Sequence, residues 1–258
     1  LALFEDTYGS EIVYIHTEER DKYAKLISMI QAGEQVDMFP YDIKSLPQNS
    51  LNGLFQPLDK HYEVLEMENE MWGDMLPLVE QLKYKDGHYV IPYGMSNPNL
   101  LTYSKTVIQS LELEDPYELY TQGKWTWDKF LELMKAFVEK SPVKYGKYGI
   151  TGDLGKGIIQ SVGEPVVINK NGTFSNNMNS PMIEKAENFI AEIRSANLYL
   201  DSKATYFPKK KNVLFFAGSD WSLAETNAKY PDEEYMIVPF PKPDEASSHS
   251  SGFDISAI

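Results

Sequence analysis

The chain has 258 residues, 42% of them apolar, and a net charge of −14 from 24 Lys and Arg against 38 Asp and Glu. That balance argues against nucleic acid as a partner, because phosphates need a basic footprint. The absence of cysteine excludes disulfides, cysteine nucleophiles and thiolate metal sites.

The opening Leu1-Ala2-Leu3-Phe4-Glu5-Asp6 lacks the basic-then-apolar layout of a secretion signal. From Glu18 to Ala32 the pattern predicts a helix with Tyr23, Ile27 and Ile30 on one face and Gly33 as its stop. Val36 to Phe39 reads as a short buried strand. Helices alternating with strands at this spacing imply an α/β layer architecture, in which ligands gather at the carboxyl ends of strands. Pro40-Tyr41-Asp42 falls at such an end, which makes Tyr41 and Asp42 candidate ligand contacts. Trp72 suits a cleft rim or a partner surface equally well.

Asp86-Gly87 predicts a tight turn, and Pro92 is expected to end the apolar run that follows, leaving Tyr93 and Gly94 where the run stops. Tyr93 is therefore a candidate contact, with a half-buried turn tyrosine as its bland alternative. Leu100 to Lys105 gives a strand. Thr126 caps a helix whose apolar side carries Phe130, Met134, Phe137 and Val138, and Trp125 and Trp127 flank that cap in structural positions. Gly149 to Gly157 has the wrong glycine spacing for a phosphate loop, with Gly157 where a hydroxyl residue must follow the lysine.

Asn171-Gly172 predicts a hairpin between Val166 and Ser175, and Ser180-Pro181 opens a helix with Ile183, Ala186, Phe189, Ile190 and Ile193 on its apolar stripe. Lys209-Lys210-Lys211 reads as a solvated loop. Val213 to Ala217 is a buried strand, far too short to span a membrane. It runs into Gly218-Ser219-Asp220-Trp221, a turn that offers an aromatic platform beside a carboxylate. Asp42, Asp153 and Asp220 are acceptors on turns at strand ends, where aspartate is also favoured for purely local reasons. His16, His61, His88 and His249 are too dispersed for a metal motif and read as surface residues. A carboxylate-pair glycosidase has no positive signal here.

Taken in order, Gly33-Glu34-Gln35-Val36-Asp37-Met38-Phe39, Gly53-Leu54-Phe55-Gln56-Pro57-Leu58-Asp59 and Asp86-Gly87-His88-Tyr89-Val90-Ile91-Pro92-Tyr93 form the first half of a recognisable series. The second half is Tyr103-Ser104-Lys105, Trp125-Thr126-Trp127-Asp128-Lys129-Phe130, Phe216-Ala217-Gly218-Ser219-Asp220-Trp221 and Ile237-Val238-Pro239-Phe240-Pro241. Together they resemble the extracellular solute-binding proteins that feed ABC importers, especially the sugar and oligosaccharide binders related to maltose-binding protein. The resemblance implies a two-lobed α/β fold of the type II periplasmic-binding-protein kind, with mixed sheets, flanking helices and a cleft between lobes. It places residues 1–96 with 246–258 in a first, incomplete lobe and 97–245 in a second. The crossings would run through Ser96-Asn97-Pro98-Asn99 and the Pro- and Ser-rich stretch from Pro239 to Gly252.

What it implies for function is capture of a carbohydrate ligand without catalysis, cofactor or metal. The protein would be a monomer outside the cytoplasmic membrane, free in a periplasm or tethered as a lipoprotein, delivering to a membrane permease. Trp221 matches a ligand-stacking tryptophan of the family, and Asn97 and Asn99 lie where the family places polar contacts, although the glutamate of maltose binders is missing there. Tyr93, Tyr41, Asp42, Asp153 and Asp220 complete the candidate set. The competing readings are a peptide, polyamine or organic anion ligand, or glycoside hydrolysis.

Overall fold

The computed structural model describes residues 2–209, 211–246 and 248–257. In chain order the elements are α1 (Ala2–Tyr8), α2 (Lys22–Gln31), α3 (Leu76–Gln81), β1 (Pro92–Ser96), β2 (Leu100–Ser104), α4 (Lys105–Ser110), α5 (Pro116–Thr121) and α6 (Trp127–Lys140). There follow β3 (Tyr148–Gly152), α7 (Leu154–Ser161), β4 (Val167–Lys170), β5 (Thr173–Asn176), α8 (Pro181–Ser195), β6 (Tyr199–Leu200), β7 (Val213–Gly218), α9 (Asp220–Lys229), β8 (Tyr235–Pro239) and β9 (Asp254–Ala257).

A five-stranded mixed sheet in the order β6-β3-β7-β2-β8 organises the larger part of the molecule. β3 runs parallel to β6 and β7, while β2 runs antiparallel to β7 and β8. Central β7 is an unbroken apolar run because helices cover both faces of the sheet, so alternation has nothing to distinguish. Leu101, Tyr103, Ile150, Phe215, Ala217 and Val238 pack with residues of α4 to α8 into one large core, and Phe216 joins Phe207 and Tyr235 in a smaller one.

The local signals in this part agree with the packing. Thr126 Oγ1 accepts the Lys129 N–H and starts α6, whose Phe130, Met134 and Phe137 are fully buried. Ser180 Oγ accepts the Met182 N–H at the start of α8, which buries Ile183, Ala186, Phe189 and Ile193. Asn171 and Gly172 take φ values of 52° and 76° and join β4 to β5 in a two-residue hairpin. Trp125 and Trp127 are core residues, donating from their indole nitrogens to the Pro239 carbonyl at 2.8 Å and Ser161 Oγ at 3.0 Å.

Residues 2–96 depart from the sequence-based expectations. Helix α2 is shorter than Glu18 to Ala32, and it buries Lys22, Leu26 and Met29 while Ile27 and Ile30 face solvent. The stripe is rotated because Lys22 and Tyr23 are both drawn onto Asp42, at 2.7 and 2.6 Å. Val36 to Phe39 is irregular chain with Met38 62% exposed, since no strand lies beside it to complete a ladder among the described residues. Pro92 opens a strand where it was expected to end one: β1 begins there and pairs antiparallel with β9. Small clusters around Leu46, Val90 and Ala257, and around Met67, Val79 and Ile91, provide the packing of this region.

Candidate ligand site

Strands β3 and β7 end side by side. Gly152 pairs with Ala217, and the next N–H, that of Asp153, donates to the Ala217 carbonyl at 3.1 Å. Gly152 takes φ +88°, and a Cβ built on it would lie 2.1 Å from that carbonyl oxygen, so only glycine fits this closure. Each strand turns at once into a helix, β3 into α7 through Asp153 and β7 into α9 through Ser219. Two helix N-termini therefore open at the same sheet edge, and neither N-cap side chain bonds to its own first turn. First-turn N–H groups left without intrahelical partners are available to hydroxyl or carbonyl acceptors.

Trp221 lies in the first turn of α9 and is 50% exposed, an aromatic face presented to solvent at the strand ends. Asp220 beside it accepts the Trp221 N–H at 3.0 Å, which fixes the approach to the ring. Asp153 and Asp220 are both exposed, and the Ser219 hydroxyl between β7 and α9 is buried without a partner. The sequence flagged Trp221, Asp220 and Asp153, and the fold brings the turns that carry them together. Ser219 was missed, because only the tertiary closure shows that its hydroxyl does not cap the helix.

The segments around Asn99 and Gly252 lie against this edge. Leu100 pairs with Gly218, and the Asn99 N–H donates to the Gly252 carbonyl at 2.8 Å, so these two segments run together. Asn97, in the left-handed region at φ 49°, donates from Nδ2 to Asp254 Oδ2 at 3.1 Å, and Lys156 Nζ of α7 lies 3.7 Å from Asp254 Oδ1. Lys156 and Asp254 escaped the sequence reading because their proximity spans about 100 residues of chain.

Asn99 is 4% exposed. Its amide sits 3.2 Å from both the Gly218 carbonyl and the Gly157 N–H, placed to donate to the first and accept from the second. The Gln160 amide is 3.1 Å away. Asn99 therefore ties the start of β2 to Gly218 of β7 and to α7.

Tyr93 is 61% exposed for a reason invisible in sequence. The register of β1 against β9 slips between Pro92 and Gly94, leaving Tyr93 as the extra residue of a bulge. Tyr41 donates its N–H to the Ala257 carbonyl at 3.0 Å and packs half-buried beside Leu46, Val90 and Ala257; burial raises its phenol above the usual range.

Asp42 is held by the residues around it. Its carboxylate takes Lys22 Nζ at 2.7 Å, Tyr23 Oη at 2.6 Å and the N–H groups of Lys44 and Ser45 at 2.7 and 3.2 Å. Partial burial opposes ionisation, but these bonds outweigh it and bring the carboxyl down to about 2. No cluster of three or more His, Asp or Glu side chains among the described residues could hold a metal ion.

The family model for bacterial extracellular solute-binding proteins matches residues 1–257, and the chain belongs to that family. Its fold is the two-lobed periplasmic-binding-protein fold. The sugar-binding protein MalE from Xanthomonas citri superposes with a TM-score of 0.72 at 14% identity, over 99% of this chain and 66% of that one. The cyclic alpha-maltosyl-1,6-maltose binding protein from Arthrobacter globiformis gives 0.71 at 16% identity, over 99% and 65%. UgpB from Mycobacterium tuberculosis, solved with glycerophosphocholine, gives 0.65 at 17% identity, over 99% and 67%. The chain thus spans about two thirds of the length of these solved structures. No curated protein matches it.

Proposed function

We propose that this protein is the extracytoplasmic binding component of an ABC importer and captures a sugar or oligosaccharide without chemical change to it. The observation that carries this reading is the half-exposed indole of Trp221 on the first turn of α9, at the joined ends of β3 and β7 and beside both chain crossings. A sugar offers apolar C–H faces to such a ring and hydroxyls to the carboxylates and N–H groups around it. Asp153, Asp220 and Asn97 supply acceptors and a donor there, and the exposed Tyr93 of β1 and the half-buried Tyr41 beside β9 are further candidate contacts.

In this reading residues 1–96 with 246–258 form one lobe and 97–245 the other. Ligand contacts from both lobes exist together only when the cleft is shut, so binding raises the closed population that a permease would recognise. The solved relatives support this class of role: they are a sugar-binding protein, a cyclic alpha-maltosyl-1,6-maltose binding protein and a protein solved with glycerophosphocholine.

Thermal unfolding against mono-, di- and oligosaccharides, with glycerophosphodiesters, polyamines and short peptides alongside, tests it. A ligand at about 100 times its dissociation constant adds about 2.7 kcal/mol to stability. A rise with one saccharide class, and an intact saccharide recovered afterwards, is the expected result. A rise only with a control class, or shortened products, overturns it.

A further inference from the structure

Asp153 and Asp220 stand at the two helix N-termini that open beside Trp221, where an acidic residue has an ordinary structural use: it accepts first-turn N–H groups and faces the positive end of the helix. That use is not made of these two carboxylates in full. Asp153 is the N-cap of α7, and its side chain makes no bond to the first turn. Asp220 opens α9, and its carboxylate accepts the N–H of its own neighbour, Trp221, at 3.0 Å. Both side chains are exposed, and neither forms an ion pair among the described residues.

The lysine of this region is already engaged. Lys156 Nζ of α7 lies 3.7 Å from Asp254 Oδ1, while Asn97 Nδ2 donates to Asp254 Oδ2 at 3.1 Å, so the Lys156–Asp254 pair is neutral as a unit. Asp153 and Asp220 leave their negative charges unbalanced at the joined ends of β3 and β7. A bound anion would meet them with no free cation to answer it. A ligand ammonium meets the reverse: carboxylates that accept its N–H groups, and the half-exposed indole face of Trp221, the aromatic surface that attracts a cation most strongly. The Ser219 hydroxyl, buried without a partner at the same turn, is a further polar group that the protein itself does not satisfy.

We propose that the ligand captured here is a saccharide carrying a protonated amine, and that Asp153 and Asp220 set the preference for it over neutral and acidic sugars. The proposal rests on the sugar-binding reading above and narrows it. An exposed carboxylate–ammonium contact and a cation–π contact are each modest, and together they amount to about tenfold in affinity over the matched neutral sugar.

The test compares sugars that differ only in charge: glucosamine, glucose and glucuronate, and galactosamine, galactose and galacturonate, each as the monosaccharide and as short oligomers. Affinities are measured by titration calorimetry at slightly acidic pH, where the amines are protonated and the carboxylates ionised, in low and in physiological salt. We expect the amine member of a set to bind tighter than the neutral one by the factor above, the uronate to bind weakest, and the gap to narrow as salt rises. Asp153→Asn and Asp220→Asn should each lower the ratio of amine to neutral affinity, a readout that a merely structural loss, acting on both sugars alike, leaves unmoved. Lys156→Gln should raise that ratio by freeing the Asp254 carboxylate. A neutral sugar bound as tightly as its amine, or a ratio unchanged in both aspartate variants, overturns the proposal and leaves the sugar-binding reading standing. No binding by any of these sugars also overturns it, and the wider saccharide panel then decides the sugar-binding reading on its own.

Discussion

Asn169 Nδ2, on the β4–β5 hairpin, donates to two backbone carbonyls at once, Gln81 at 2.8 Å and Lys83 at 2.6 Å. The contact is reinforced by a hydrogen bond from the Lys85 N–H to the Gly172 carbonyl at 3.3 Å and by stacking of Tyr84 on Phe174, centroids 6.0 Å apart. In the proposed lobe division the hairpin belongs to one lobe and residues 81–85 to the other, so this strut is a contact between the two. Replacing Asn169 with Ala removes both bonds, at about 0.5–1.5 kcal/mol each. The expected outcome is faster amide exchange at Lys85, whose N–H donates to the Gly172 carbonyl, with the large core untouched. Exchange that stays at the wild-type rate would show that the strut carries no weight.

The hairpin and the core around α6 and α8 were legible in sequence because each local signal there agrees with its surroundings. Asn171-Gly172 needs only the two residues of its own turn, and Thr126 and Ser180 cap helices whose stripes meet a sheet on the other side. Residues 2–96 were misread for the converse reason. The stripe of α2 is set by Asp42, eleven residues beyond the end of the helix, and Val36 to Phe39 carries strand propensity with no neighbouring strand to realise it. Local pattern records what a segment prefers, not whether a partner is present. The ligand-site candidates divide the same way. Turns that end strands could be located, whereas the Tyr93 bulge, the buried amide of Asn99 and the burial of His88 against Asp59 depend on contacts between distant residues.

Gly152 is the geometric keystone of the strand-end edge. Gly152→Ala would force a methyl into the Ala217 carbonyl and an L side chain into φ +88°. A strained backbone of this kind costs about 1–3 kcal/mol, and the clash adds to it. Denaturant unfolding followed by circular dichroism should show a lowered midpoint. A variant as stable as wild type would mean that the β3–β7 closure is looser than drawn.

Acid should act through Asp42. Its carboxyl falls from 3.8 in the unfolded chain to about 2 in the folded one. A lowered folded value contributes stability above the unfolded value, and that contribution disappears as pH falls through the folded value. The window is therefore between about pH 4 and pH 2. Asp42→Asn should flatten the fall of stability across that window while costing stability at neutral pH, where Lys22 keeps only Glu19 as a charged partner. Tyr23 fluorescence or amide exchange in α2 reads both effects, and an unchanged acid profile in the variant would remove Asp42 as their source.

Trp221 gives the sharpest test of the site. Its indole is half exposed and its backbone is held by the Asp220 carboxylate, so Trp221→Ala leaves no cavity in the core and should not alter unfolding. If the ring is the platform on which a sugar stacks, its loss should weaken binding by about 1–3 kcal/mol, the apolar contact and the aromatic preference together. Titration calorimetry with whichever saccharide raises the unfolding temperature measures this directly, and Trp221→Phe should recover part of the loss. Equal affinities for wild type and the alanine variant would remove Trp221 from the site and, with it, the observation on which the sugar-binding reading rests.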